Sequence, residues 1–320
     1  MNLSTFEAFK SARKADMIVP NDDQLVAIQA ILLHMLLDVK EYCDTHDLTY
    51  LLSGGSVLGA IRHGGFIPWD DDVDLFMPRP DYERFIEGFA EHFGDKYWID
   101  SPEHTPEVGI PIARIRLEGT HAVLYNDIPT EHDGVSIDIF VLESVPNNPV
   151  LRYLHGIHCM TVGFAFSCSR IARDKQKYLE LADDNERLKR IIGIKAAIGR
   201  MVSFKTTDSW CNTVKSVYSA YSDEDSCYIS CPSGRLHYFG EMYKRSDFLP
   251  PHDVLFEGIG FKAPHIPERY LEILYGDWHS LPPVEKRERH GYLALELGDY
   301  ESIAGKEVKL IASHRKENTT

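Results

Sequence analysis

Four aspartates lie within five positions at Asp70, Asp71, Asp72 and Asp74, and no other feature narrows so far what this chain can fold into. The apolar residues Val73 and Leu75 alternate with Asp72 and Asp74. In a strand, successive side chains point to opposite faces, so Asp72 and Asp74 share one face while Val73 and Leu75 share the other. Two carboxylates roughly 7 Å apart on a rigid face form half of a site for a hard metal ion. The opposite face anchors them in a core. The surrounding stretch, 51–84, adds a glycine turn at Gly54-Gly55 and the pair Arg62-His63. The expectation is a stretch that carries a divalent metal and a phosphate-bearing substrate.

The flanking patterns suit this role. Residues 48–53 read as a short buried strand running into Gly54-Gly55, and 56–61 can start a helix. Backbone N–H groups at such a strand-to-helix turn, with the positive end of the helix, suit a phosphate, although any tight turn uses the same residues. Arg62 can fork onto phosphate oxygens or pair with an aspartate. Upstream, Asn21 or Asp22 can cap an amphipathic helix to about residue 46, with Leu25, Ile28, Leu32, Met35 and Val39 on its apolar face. Downstream, a strand over 72–77 ends at Pro78 and Pro80, and Asp81 can cap a helix over 82–93. Further strands are expected at 97–100, 113–117 and 135–141.

On the last of these, Ile137 and Ile139 take one face and Ser136, Asp138 and Phe140 the other. A lone carboxylate among apolar neighbours is costly unless a charge meets it. If this strand lies beside the 72–77 strand, Asp72, Asp74 and Asp138 converge as in two-metal phosphoryl-transfer sites. The alternative is an ion pair of Asp138 with Arg114 or Arg116. Asp70 and Asp71 are supporting or solvated on this reading.

The organisation expected is an N-terminal arm at 1–20, a catalytic core at 21–148, a helical segment at 149–222, a part at 223–305 that completes the site, and a mobile tail at 306–320. Within the helical segment, helices are expected over 151–172, 176–204 and 208–220, and a later one over 267–275. With 34 basic and 49 acidic residues, the net charge of −15 disfavours non-specific attraction to nucleic acid. Residues 185–205 run the other way, with six basic residues and one acidic. That segment either meets a lipid-linked or anionic acceptor at the membrane or is a solvated helix face. The first residues lack the apolar core of a signal peptide, and no transmembrane segment is expected. Six thinly spread cysteines fit reduced thiols in a cytoplasmic protein, with peripheral contact at the inner face of the membrane through 185–205. Cys211, Cys227 and Cys231 with His237 either bind zinc or are buried free thiols; the paired spacing of a zinc ribbon is absent.

The run RHGGFIPWDDDVDLFMPRPDYERF at 62–85 resembles the LicD family of bacterial phosphocholine transferases, distantly similar to fukutin and the fukutin-related protein. The resemblance continues at Ser136-Ile137-Asp138-Ile139-Phe140, Phe256-Glu257-Gly258, Tyr275-Gly276-Asp277-Trp278, Leu281-Pro282-Pro283, Arg287 and His290. It covers most of 20–145 and 225–295. It implies an α/β (α+β) nucleotidyltransferase-like core of the DNA polymerase beta type, a mixed sheet flanked by helices. Fifteen residues lie between Ser56 and Asp72, more than in many nucleotidyltransferases.

The resemblance further implies transfer of a phospho-alcohol, phosphocholine foremost, from a CDP-activated donor to a hydroxyl of a glycan or lipid-linked glycan, releasing CMP. Asp72, Asp74 and Asp138 would hold two Mg²⁺ ions, or Mn²⁺ in their place. Gly54, Gly55 and Ser56 would cradle the diphosphate, Arg62 and His63 would flank it, and Arg287 and His290 would come from the far end. A choline head group needs aromatic faces, for which Trp69, Tyr82, Tyr275 and Trp278 are candidates or else core residues. The competing readings are a nucleotidyltransferase releasing pyrophosphate, a transferase for ribitol, glycerol or ethanolamine phosphate, and a binding module with a vestigial site.

Overall fold

The computed structural model describes residues 17–311 apart from 126, 128, 285, 286, 288, 300–304, 308 and 309. Its first helix, α1 (Asp22–His46), starts at an expected cap. The Asn21 side chain accepts the Gln24 N–H at 2.9 Å, and the Gln24 side chain accepts the Asn21 N–H at 3.0 Å. This box satisfies donors that a helix start leaves open. The residues expected on its apolar face are buried.

There follow β1 (Leu51–Leu52), α2 (Gly54–His63), β2 (Asp74–Pro78), α3 (Arg79–Phe93), β3 (Tyr97–Asp100), β4 (Ala113–Leu117), β5 (His121–Leu124) and β6 (Ser136–Val145). A helical run comes next: α4 (Pro149–Arg173), α5 (Lys175–Ala182), α6 (Glu186–Met201) and α7 (Thr207–Tyr218). The last part holds β7 (Tyr228–Ser230), α8 (His237–Gly240), β8 (Met242–Lys244), β9 (His252–Phe256), β10 (Ile259–Ala263), α9 (Pro267–Tyr275) and β11 (Tyr292–Glu296).

The main sheet has the order β1-β2-β6-β4-β3, with β7 beside β6 and β8 beside β7. It is mixed: β2 and β6 run parallel and the other pairs antiparallel. Parallel neighbours need a long crossover, which α3 and the β3–β5 strands supply. The register sets Asp74 against Asp138, Asp138 against Arg114, and Arg114 against Asp100. One large core joins α1, the sheet and α9, whereas the helical run builds two smaller clusters around Ile192 and Val214.

Several expected boundaries move, each for a local reason. The strand expected at 72 begins at Asp74, so Asp72 lies in the loop before it. The helix expected at 82 begins at Arg79, because Pro80 has no N–H to lose in a first turn; Asp81 is inside that turn and does not cap it. The helix expected over 176–204 breaks at 183–185, where Asp183 takes φ 44° and Asn185 caps α6 by accepting the Leu188 N–H at 3.0 Å. The expected arm and tail lie largely outside the described residues. Where they are described they pack: Ile18 bridges Tyr292, and Ile311 is 1% exposed in the large core.

Two buried polar side chains tie loops to this frame. Gln29 on α1 donates to the Asp70 carbonyl at 2.6 Å and holds the acidic loop against the helix. Glu241 accepts the Leu236 N–H at 2.8 Å and the Tyr243 hydroxyl at 3.3 Å, which secures the 231–241 loop. Replacing Gln29 with Leu leaves the Asp70 carbonyl without that donor and should lower unfolding free energy by about 1–3 kcal/mol in urea titrations. Burial pushes the Glu241 carboxyl up to about 7 against its hydrogen bonds. The folded state therefore keeps a proton that the unfolded chain releases near the ordinary value of 4.5, and this group's contribution to stability falls as pH rises from there to about 7. Glu241→Gln removes that fall, so the variant should gain stability relative to the parent between about pH 5 and about pH 8 in the same titrations.

Candidate functional site

The strand-to-helix turn and the acidic loop meet at a cavity of about 750 Å³. Gly54, Gly55, Arg62, Trp69, Asp70, Asp72, Asp74, Asp138 and His290 all line it. Gly54 and Gly55 open α2 with their backbone pressed against the carboxylates. A Cβ on Gly54, which has φ 50°, would stand 3.0 Å from Asp74 Oδ2, and one on Gly55 would stand 2.7 Å from Asp70 Oδ2. Only glycine lets the positive end of the helix approach the acids this closely.

Asp74 and Asp138 are direct neighbours across the parallel pair. The strand adjacency expected for Asp138 is present, and so is the ion pair weighed against the metal reading. Arg114 Nε donates to its Oδ1 at 2.6 Å and Nη2 to its Oδ2 at 3.0 Å, while Arg116 pairs with Asp100 at 2.7 Å. Arg114 also meets Asp127 and, despite burial, is held firmly as a cation by these two carboxylates. Because Arg114 takes both oxygens of Asp138, the Asp72, Asp74 and Asp138 set is not a closed ligand sphere in this structure. Among the described residues, the His/Cys/Asp/Glu group whose ligand atoms all lie within 4.8 Å of one another is Asp70, Asp71 and His290.

Asp71 is not solvated. Its side chain has no exposure, accepts the His290 backbone N–H at 3.2 Å and the Tyr292 hydroxyl at 2.8 Å, and meets His290 Nδ1 at 2.8 Å. Burial alone would raise its pKa, but the His290 and Tyr292 hydrogen bonds outweigh that and hold it low. Burial acts to lower the His290 pKa, yet the hydrogen bond and charges of Asp71, Asp72 and Asp70 carry it to about 10. The result is a cation 4.0 Å from Asp72 Oδ2. Asp72 itself faces the cavity, with its side chain 41% exposed. The recess and the neighbouring acids still raise its pKa, and they raise those of Asp70 and Asp74 further. Negative charge is in excess here.

Three expected ligands do other work. The Ser56 hydroxyl accepts the Asp74 N–H at 3.1 Å, is buried and does not line the cavity, so it positions the acid. Gly54 spends its N–H on the hydroxyl of Tyr270 at 2.7 Å, so that amide is not open to a phosphate. His63, lowered to about 4 by burial and by Arg62 and Arg287, is a neutral acceptor for Arg62 Nε at 3.0 Å. Among the described residues Arg62 pairs with no aspartate; it donates to the Trp278 carbonyl at 2.8 Å. Arg287 lies 4.3 Å over the Trp69 ring, so one face of that indole already carries a cation. Trp69, Tyr275 and Trp278 line the cavity, whereas Tyr82 is a core residue bonded to Glu103.

The remaining wall was not legible in the pattern of residues. It includes Arg170 at the end of α4, Asp127, and the Ser233-Gly234-Arg235 loop with His237. None stands in a motif, and only the folding of the chain brings them here. The zinc reading has no support: Cys211 and Cys231 are buried, Cys227 is exposed, and all are free thiols outside the ligand group above.

Residues 47–107 match the family described as "LicD/FKTN/FKRP, nucleotidyltransferase domain". The chain is 26% identical over 269 residues to the lipopolysaccharide cholinephosphotransferase LicD of Haemophilus influenzae, covering 82% of this chain and 94% of that one. A 26-residue segment, 8% of this chain and 5% of the relative, is 73% identical to the human ribitol 5-phosphate transferase FKRP. Another segment is 36% identical over 58 residues to an uncharacterized Rickettsia typhi protein, covering 18% of this chain and 19% of that one. The glycine turn and the acidic loop therefore sit in a LicD-family domain, which this chain carries at residues 47–107.

Proposed function

We propose that the protein is a phosphotransferase that moves a phospho-alcohol group, phosphocholine first among them, from a CDP-activated donor to a hydroxyl of a cell-envelope glycan or its lipid-linked precursor. On this reading its core is a nucleotidyltransferase-like one. The observation that carries the proposal is the parallel register that sets Asp74 beside Asp138 at the glycine turn, within a chain similar along most of its length to a cholinephosphotransferase.

A diphosphate brought to this turn would face Asp70, Asp72, Asp74 and Asp138, with His290 and Arg62 among the cations of the lining and Arg114 committed to two carboxylates. The oxygen donors fit a hard divalent cation, and burial together with the neighbouring acids raises the pKa values of Asp70, Asp72 and Asp74. Asp72 and Asp74 would hold Mg²⁺ or Mn²⁺ together with Asp138, and the metal would neutralise phosphate charge and lower the pKa of an acceptor hydroxyl.

The chain's own groups do the rest. Arg62, steered by Trp278 and His63, would bind the migrating phosphoryl group. The acceptor oxygen forms a bond to the phosphorus that bears the alcohol, the bond from that phosphorus to the bridging oxygen breaks, and CMP leaves. The acceptor proton passes to a carboxylate, for which Asp138 is the candidate. Positioning and charge neutralisation dominate such a reaction.

Incubation with Mg²⁺, CDP-choline and glycan acceptors should release CMP; pyrophosphate in its place would mean nucleotidyl transfer. CDP-ribitol belongs in the same panel because of the short segment shared with the ribitol 5-phosphate transferase. If no CDP-alcohol yields CMP with acceptor present, the proposal fails. Asp74→Asn should lower turnover by at least about 10²-fold, and Arg62→Met by a comparable factor. The same Asp74→Asn change removes one of several repelling carboxylates, so in EDTA its thermal midpoint should rise above that of the parent.

A further inference from the structure

Helix α4 carries an apolar row on its open side. Val150, Tyr153, Leu154, Ile157, Met160 and Phe164 recur at three- and four-residue spacing and are between 39% and 65% exposed. The opposite face, with Cys159, Val162 and Phe166, is buried against α7. A helix of 25 residues thus has both a core face and an unpartnered apolar face about 20 Å long. The row continues past the helix: the Tyr153 ring lies 5.7 Å from that of Phe239, itself 42% exposed, and Leu236 is 40% exposed. These two flank His237, which lines the cavity together with Arg235. The apolar surface therefore reaches a segment that also contributes to the cavity lining.

Charge says what covers it. In a chain with 49 acidic residues, the 25 positions of α4 contain no Asp or Glu. Packed beside it is α6, with Arg187, Arg190 and Arg200 exposed. The two helices meet where Lys195 lies 5.7 Å over the Phe164 ring. Lys195 itself is 5% exposed and bonded to Ser167, so it is not part of a solvated basic face. A two-fold dimer through this row would set the same cations against one another. A surface of anionic headgroups complements them, and such a surface accepts an apolar helix face lying in its plane. No helix among the described residues is long and apolar enough to cross a membrane.

We infer that the α4 row, flanked by the α6 arginines, docks on an anionic lipid bilayer and holds the cavity mouth at headgroup level. The contact expected from the basic segment alone thus has its apolar part in α4. The docking surface stands apart from the transferred group; only the corollary that the acceptor is lipid-anchored rests on the proposed reaction.

The test uses the full chain and sedimentation with vesicles of phosphatidylcholine, with and without phosphatidylglycerol. Binding is expected to the anionic vesicles, weaker in high salt. Leu154→Glu with Ile157→Glu should cut the bound fraction at least tenfold with unchanged circular dichroism, as should Arg190→Glu with Arg200→Glu. Absence of binding to anionic vesicles, or equal binding by the Leu154/Ile157 variant, overturns the inference. So does a parent dimer in light scattering that the same variant disperses, since the row is then a protein interface. Vesicle binding without any CMP release keeps the docking surface and sinks the proposed reaction instead.

Discussion

The pairing of β2 with β6 is the constraint on which the rest depends. In parallel register it puts Asp74 beside Asp138, and the same row continues to Arg114 on β4 and Asp100 on β3. A row of three acids and one base is unfavourable in isolation, because like charges on neighbouring strands repel. The fold answers locally. Arg114 forks onto Asp138, Arg116 takes Asp100, and the start of α2 is turned toward Asp74. What remains uncompensated is concentrated at Asp70, Asp72 and Asp74, where the cavity opens. The residual charge is thus placed where a ligand can reach it.

Around this row, contacts distant in sequence hold the loop 70–72 rigid. Gln29 secures its backbone from α1, and His290 and Tyr292 secure Asp71 from the start of β11. Tyr270 on α9 fixes the first amide of the glycine turn. Gln29, Asp71, Tyr270 and Tyr292 are buried, and each finds a partner, which is the condition for keeping them in a core. The acidic loop is therefore a built element with support from both ends of the chain.

Legibility in the sequence follows the range of the interaction. Periodicity and capping are local, so α1, β3, β4 and α9 stand where the residues indicate. The alternation around Asp138 marks its strand and its face correctly. Boundaries fail where a neighbour two or three residues away decides them, as Pro80 does for α3 and Asn185 for α6. Side-chain assignments fail for a different reason. Ser56 and Gly54 belong to the turn as expected, but their polar groups are claimed by Asp74 and by Tyr270, and nothing local announces a partner 216 residues away. Likewise Arg114 could be weighed as a partner of Asp138, yet only the register shows that it takes both oxygens.

The cavity wall also divides by chemistry in a way that bears on the order of events at the site. The lining is acidic at Asp70, Asp72, Asp74 and Asp138, and it also holds Arg62 from α2, Arg170 from α4 and Arg235 from the 231–241 loop. An anion entering alone is drawn to these arginines and repelled by the carboxylates. On the proposed reading it would settle between them only with a cation at the acids, so cation and anion would reinforce each other's binding. Two ligands that each remove the other's electrostatic penalty bind cooperatively by necessity, with no change of shape required. In the proposed reaction the acids that burden the protein would therefore be what couples a metal to the substrate, each ligand relieving the repulsion that the other meets.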